Sequence, residues 1–153
     1  MTLNVSDMMT KKLESIEGTA SVQETAKKMK DTNVSSLLVL DAEGKPQGLV
    51  TERDLVRKVC INDIYTSKVT NKEVMSSPII TINSKSSASE AADMMLRNNI
   101  RHLLVVDESY PHKPVGMITP FDLRDEEYTD EGLNKPLKNY QNIIDKRIIK
   151  YNR

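Results

Sequence analysis

Two short motifs hold the residues best placed for chemistry: Thr51-Glu52-Arg53-Asp54 and Thr119-Pro120-Phe121-Asp122. Each follows a glycine and two apolar residues, Gly48-Leu49-Val50 or Gly116-Met117-Ile118. Threonine is a good helix N-cap, and proline directly after it fits the first helical position, where its missing N–H costs nothing. The spacing therefore predicts a strand that runs into a helix at Thr51 and at Thr119, with Asp54 and Asp122 in the first turn. Outward-pointing amides and the positive end of the helix dipole make such a turn a ready anion site. A plainer account covers the same residues. Capping alone explains the threonines, and an acid is favoured in a first turn whatever its function.

No catalytic constellation accompanies these motifs. His102, His112 and the lone Cys60 do not suggest a triad. There is no Gly-x-x-x-x-Gly-Lys loop and no zinc-ligand spacing, so neither a metal nor a catalytic cofactor is expected. Cys60 lies in the helical run Leu55, Val56, Val59, Cys60, which predicts a buried structural thiol rather than a nucleophile. His112 reads as an exposed turn residue. The expectation is a protein that is not an enzyme.

The elements that position the motifs come in duplicate. Residues 10–41 align with 76–107 at a constant offset of 66, and two extra loop residues precede the second motif. A period this long marks a duplicated supersecondary unit. Each copy reads β-α-β-β-α. Pro78 to Ile82 forms a β-branched strand, matched by Lys12 to Ile16. Ser21-Val22-Gln23-Glu24 and Ser87-Ala88-Ser89-Glu90 are capping boxes that open helices. Those helices are expected to bury Val22, Ala26 and Met29, or Ala88, Ala92 and Met95. Asn33 and Asn98-Asn99 close them, since asparagine tolerates the left-handed conformation. The second strands, Leu37 to Leu40 and Leu103 to Val106, are apolar enough to be covered on both faces. The turn after the first is compact, whereas Asp107 to Lys113 reads as a longer one.

Bulk composition narrows the classes further. The 153 residues carry 22 basic and 22 acidic side chains, a net charge of zero, which speaks against a dedicated nucleic-acid binder. No apolar run is long enough to span a membrane and no signal-peptide pattern is present, so a cytoplasmic protein is expected. With no Trp, one Phe and eight Met, the core must be aliphatic with methionine filling gaps. The expected divisions are residues 1–66 for the first repeat and linker, 67–124 for the second, and 125–153 for a tail. The tail opens acidic and ends basic, and Leu137, Tyr140, Ile144, Ile148 and Tyr151 lie at helical spacing. An amphipathic helix is expected there, packed on its own domain or a sister subunit.

The pattern Gly-hydrophobic-hydrophobic-Thr-x-x-Asp, after an apolar strand ending in Asp, resembles the CBS domain (cystathionine beta-synthase domain), and two in tandem resemble a Bateman module. The resemblance covers roughly residues 3–124 and is closest over Gly48 to Asp54. It implies an α/β (α+β) fold of two β-α-β-β-α repeats packed with pseudo-two-fold symmetry, plus the helical tail. It further implies a stand-alone regulatory module that binds an adenosine-containing ligand such as AMP, ADP, ATP or S-adenosylmethionine in a cleft between repeats, as in energy sensing. One corner would use Ile100 and Arg101 on the base side with Thr51 and Asp54 for ribose and phosphate. The other would use Val34 and Ser35 with Thr119 and Asp122. A carboxylate accepting two hydrogen bonds suits a ribose diol.

On that resemblance Arg101, His102 and Arg53 would surround the first corner, and arginine grips phosphate bidentately. The second corner has Ser35 and Ser36 at the matching strand positions, and Pro120 and Phe121 where the first has Glu52 and Arg53. The first corner is therefore expected to favour phosphorylated nucleotides. His102 packed as an ordinary strand residue is the alternative. The family also implies a homodimer and a regulated protein that the sequence does not name. The Val22/Met29 and Leu55/Val59 faces are candidates for the dimer contact, or equally for an internal core. The competing function is a constitutive dimerisation or nucleic-acid-associated module that uses the basic terminal helix.

Overall fold

The computed structural model describes residues 3–123. The expected helical tail at 125–153 falls outside them. The described chain forms two compact units, one from Leu13–Ile79 and one that joins the residues up to Lys12 with those from Ile80 onward. Each holds a three-stranded sheet, and the fold is mixed α/β with the β-α-β-β part of the anticipated order present in both units.

In the first-repeat unit, β1 (Ser15–Glu17) runs parallel to β2 (Ser36–Leu40), and β2 pairs antiparallel with β3 (Pro46–Thr51). The parallel pair needs a crossover, supplied by α2 (Val22–Thr32). Ser21 Oγ accepts the Glu24 amide at 3.2 Å, and the Glu24 carboxylate accepts the Ser21 amide at 2.8 Å. The helix ends at Asn33 with φ of 55°, where the Asn33 and Val34 amides reach back to the Lys30 and Met29 carbonyls. That is the pattern a left-handed cap produces. The second-repeat unit repeats the plan with β4 (Thr81–Asn83), α5 (Ala88–Asn98), β5 (Leu103–Asp107) and β6 (Tyr110–Ile118). Ser87 caps α5, and Asn99 closes it at φ 52°.

A short arm completes each sheet on the free side of its last strand. In the first-repeat unit the arm is α4 (Asn71–Val74) with its flanks. Ser76 exchanges backbone bonds of 2.9 and 3.0 Å with Leu49 of β3. In the second-repeat unit the arm is α1 (Val5–Met8), and Thr10 exchanges two bonds of 2.9 Å with Met117 of β6. Each repeat is thus completed by the segment that precedes the other repeat in sequence. The packing units break at 12/13 and 79/80, offset from the sequence divisions 1–66 and 67–124.

Two aliphatic cores result. One gathers Val22, Met29, Leu37, Val39, Val50, Val59, Val69 and Val74; the other gathers Val5, Ile82, Ala91, Ala92, Met95, Leu103, Val105, Ile118 and Leu123 among others. Val22, Met29 and Val59 are therefore internal core rather than a dimer face.

Several expectations need correction. The first strands begin at Ser15 and Thr81, not at Lys12 and Pro78. On α2 the buried positions are Val22, Thr25 and Met29, while Ala26 is exposed. The helix rotates to bring Thr25 under the arm, where its hydroxyl donates to the Asn71 side chain. Asp107 pairs with Tyr110 in register, so the connection is a tight hairpin and His112 belongs to β6 rather than to a long turn. Cys60 is exposed. Helix α3 (Glu52–Asp54) continues as a π-helical segment, Leu55–Val59, and a 3₁₀ turn, Cys60–Asn62. The wider turn shifts the face by a residue, so Val59 points inward and Cys60 out.

Candidate functional site

In both threonine–aspartate turns the aspartate carboxylate accepts the threonine amide and hydroxyl. Thr51 Oγ1 accepts the Asp54 amide, and Asp54 Oδ2 accepts the Thr51 amide at 2.9 Å and the Thr51 hydroxyl at 3.1 Å. Asp122 Oδ2 accepts the Thr119 amide at 2.8 Å and the Thr119 hydroxyl at 3.2 Å. Both aspartates are half-buried. Thr51 and Asp54 thus close a capping box, as the plainer account of these residues anticipates, whereas the Asp122 amide donates to the Thr119 backbone carbonyl at 3.1 Å. In the first-repeat unit the threonine opens a helix. In the second, residues 120–123 form a turn at the edge of the described chain.

The other carboxylate oxygen distinguishes the turns. Asp54 Oδ1 pairs with Lys58 Nζ at 3.1 Å, and the same ammonium donates to the Val74 carbonyl at 2.6 Å. Asp122 Oδ1 instead accepts the Thr10 hydroxyl at 3.0 Å. In both units the motif aspartate is therefore tied to the arm, through a lysine in one and directly in the other. A carboxylate offers about four acceptor positions. The bonds just described take three at each site, leaving one on Oδ1 for an incoming donor.

Sequence reasoning missed Lys58 and Thr10. Lys58 carried a signal, because Asp and Lys four residues apart on a helix are neighbours. Thr10 carried none, since it lies 112 residues from its partner.

The remaining predicted residues fall around these turns. Val34, Ser35, Thr51, Arg53 and Asp54 belong to the first-repeat unit, where the Ser35 carbonyl accepts the Glu52 amide at 3.0 Å. That bond brings the start of β2 against the turn of its own repeat. Ile100, Arg101, His102, Thr119 and Asp122 belong to the second-repeat unit, where the Leu103–Ile118 pair sets His102 beside Thr119. Val34 and Ile100 each pack against the core of their unit, and Arg101 and His102 are half-buried. The assignment of Asp54 with Ile100 and Arg101, and of Asp122 with Val34 and Ser35, draws on both units and is carried below as a proposal.

Charge separates the turns as well. Arg53, Arg57 and Lys58 are exposed around Asp54. At the positions 68 further on, the sequence has Phe121, Asp125 and Glu126. Among the described residues, no group of His, Cys, Asp and Glu could hold a metal ion, and no helix is long and apolar enough to cross a membrane.

The motif glycines serve the arms. A Cβ on Gly48 would lie 2.8 Å from the Ser76 carbonyl oxygen, and one on Gly116 would lie 2.9 Å from the Thr10 carbonyl oxygen. Glycine at the head of the motif therefore reflects close backbone approach.

Among protein families, the CBS domain matches the chain twice, over residues 5–60 and 72–128. Each match begins inside an arm. An uncharacterized protein of Methanopyrus kandleri is 32% identical over 124 residues, which cover 80% of this chain and 62% of that one. The chain thus spans less than two thirds of that relative. The CBS domain-containing protein YhcV of Bacillus subtilis is 28% identical over 142 residues, 92% of this chain and 98% of that one. A crystal structure of an uncharacterized conserved protein from Pyrococcus horikoshii superposes with a TM-score of 0.75 at 28% identity, covering 87% of this chain and 98% of the other.

Proposed function

The chain belongs to the CBS-domain family, and from that premise we propose that it is a regulatory module, not an enzyme, that binds an adenosine-containing ligand through its two threonine–aspartate turns. The observation that carries this reading is the like local setting of Asp54 and Asp122 within their own units, each half-buried and each with acceptor capacity on Oδ1. One ribose hydroxyl fits that capacity. The second hydroxyl of a diol takes the place of Lys58 Nζ or of the Thr10 hydroxyl.

The sites are proposed to differ in ligand charge. Asp54, with Arg53, Arg57 and Lys58 around it and Arg101 assigned to the same corner, suits AMP, ADP or ATP. Displacing Lys58 from the carboxylate frees an ammonium for phosphate. Asp122, with Val34 and Ser35 assigned to it and Phe121 beside it, suits a less charged ligand such as S-adenosylmethionine. The regulated protein is met as a cytoplasmic homodimer whose contact changes with occupancy, which requires the ligand to bind one arrangement better than another.

A thermal-shift screen against AMP, ADP, ATP, S-adenosylmethionine and cyclic dinucleotides tests the reading. A ligand at 100 times its Kd stabilises the folded state by about 2.7 kcal/mol. A flat response to all of them refutes it. Calorimetry then resolves the sites. Asp54→Ala should abolish binding of the phosphorylated ligand and Asp122→Ala should spare it; equal losses sink the asymmetry.

A second reading rests on Val56, Ile61 and Tyr65, which are 55, 71 and 78% exposed. Large exposed apolar side chains grouped in one segment favour a constitutive protein contact. Self-association that nucleotide leaves unchanged, and that Tyr65→Ser weakens, would support it.

A further inference from the structure

The two arms are near-copies, and they dock by the same backbone bonds. In the first-repeat unit the Asn71 and Lys72 amides donate to the Ala20 and Gly18 carbonyls, each at 3.0 Å. In the second, the Val5 and Ser6 amides donate to the Ser86 and Ser84 carbonyls, at 2.8 and 2.9 Å. Both arms open with a capping box, Asn4 with Asp7 and Thr70 with Glu73. Both lay a methionine over a strand glycine, Met9 on Gly116 and Met75 on Gly48. None of these contacts tells one arm from the other. A chain with two similar arms and two similar docking grooves has a wrong pairing available to it.

One buried position does discriminate. Asn71 and Thr25 are both fully buried in the first-repeat unit. Thr25 donates to the Asn71 side-chain oxygen, and the Asn71 amide group donates to the Glu17 carbonyl at 3.1 Å. The positions equivalent by the 66-residue offset are Val5 and Ala91, both fully buried in the other core. We infer that the pairs Asn71–Thr25 and Val5–Ala91 form a matching code that directs each arm to its own unit. With Val5 in the first-repeat groove, the Glu17 carbonyl would lose its Asn71 donor and Thr25 its acceptor. With Asn71 in the second-repeat groove, a buried amide would face alanine. A buried polar group left without its partner is costly, whereas a matched apolar pair is not. A single buried asparagine fixes register in coiled coils by the same logic.

Cross-linking in the full chain, with Cys60→Ser removing the native thiol, reads the arm position. Thr10 and Met117 exchange both backbone bonds, which sets their Cα atoms about 5.5 Å apart, within disulfide range. Thr10→Cys with Met117→Cys therefore reports arm 3–10 in its own unit. Thr10→Cys with Leu49→Cys reports it in the other. In the parent background only the first pair should close within one chain. Thr25→Ala with Ala91→Thr exchanges the groove half of the code and should move the ratio of the two products toward the second by about tenfold or more. Adding Val5→Asn and Asn71→Val should move it back. A ratio that stays within about twofold overturns the inference and assigns arm choice to the connecting segments. Melting curves provide a second reading. Asn71→Val and Val5→Asn should each lower Tm, and Thr25→Ala and Ala91→Thr respectively should recover most of the loss. Failure of either rescue also overturns it.

Discussion

An alanine at Gly48 would put its methyl group into a space already filled by the arm. The added carbon would stand 2.5 Å from Met75 Sδ and 2.8 Å from the Ser76 carbonyl oxygen. The thioether can swing away; the carbonyl cannot, because Ser76 is held to Leu49 by bonds of 2.9 and 3.0 Å. Reaching an ordinary contact of 3.4 Å requires the arm to withdraw by about 0.6 Å (3.4 − 2.8), which stretches the 3.0 Å bond from the Leu49 amide past useful length. Overpacking of this kind costs about 1–3 kcal/mol, offset by roughly 0.4–1 kcal/mol from the stiffer unfolded chain. The net is about 1–2 kcal/mol, or a Tm lowered by roughly 3–8 °C for a chain of this length. Gly116→Ala should behave alike, since its methyl would meet the Thr10 carbonyl oxygen at 2.9 Å. Gly18→Ala is the control: its nearest neighbour is 3.4 Å away, and its Tm should stay within about 1 °C. Thermal unfolding followed by circular dichroism reads all three. Met75→Ala added to Gly48→Ala should fail to restore Tm, because the carbonyl remains. A Gly48→Ala protein as stable as the Gly18→Ala control would refute the placement of the arm on β3.

Other perturbations test the caps and the site. The Glu24 and Glu73 carboxyls are held below their ordinary value of 4.5, chiefly by the Ser21 and Thr70 backbone amides. A carboxyl lowered by folding contributes stability that is present above its unfolded pKa and lost as pH falls through the folded one. Urea titrations should therefore show Glu24→Gln/Glu73→Gln losing less stability than the parent below about pH 4.5. Cys60, being exposed, should react with a thiol reagent in native buffer within a few fold of its rate in denaturant. Thr10→Val removes a donor to Asp122 and should lower Tm by a few degrees, about 1 kcal/mol, and leave the binding of phosphorylated ligand unchanged in calorimetry. Lys58→Met should weaken that same binding and spare any ligand of the Asp122 turn.

What was legible in the chain was local. Ser21, Ser87, Asn33 and Asn99 bound their helices because capping needs only a side chain and the amides three residues away. Thr51 with Asp54, and Thr119 with Asp122, bond over the same three-residue span. The even offset between copies also carried through, from the serine caps to the left-handed asparagines. Local signals failed where a distant segment chose the face. Ala26 and Thr25 are adjacent on α2, and apolar periodicity favours alanine. The helix buries Thr25 because Asn71, 46 residues on, offers it an acceptor. Cys60 failed through backbone geometry, since a π-helical turn breaks the 3.6-residue count on which its burial was read.

The arms carry the larger lesson about repeats. A duplicated sequence invites the assumption that each copy folds upon itself, and the family match reinforces it by starting inside an arm both times. The backbone does otherwise: each repeat is closed by the segment that precedes its twin. The signs were present as small departures from symmetry, an asparagine opposite a valine and a threonine opposite an alanine. Read within one copy, Asn71 is an unremarkable helix residue and Thr25 a slight flaw in an apolar face. Read across copies, they occupy positions where the twin is apolar and just as buried. In a repeat protein, the shared residues show what both halves must do alike, such as the bonds of Thr51 to Asp54 and of Thr119 to Asp122. On the proposal made here, the residues that break the symmetry in the core keep similar halves apart, and those at the surface, such as Arg53 against Phe121, give the two turns different charge.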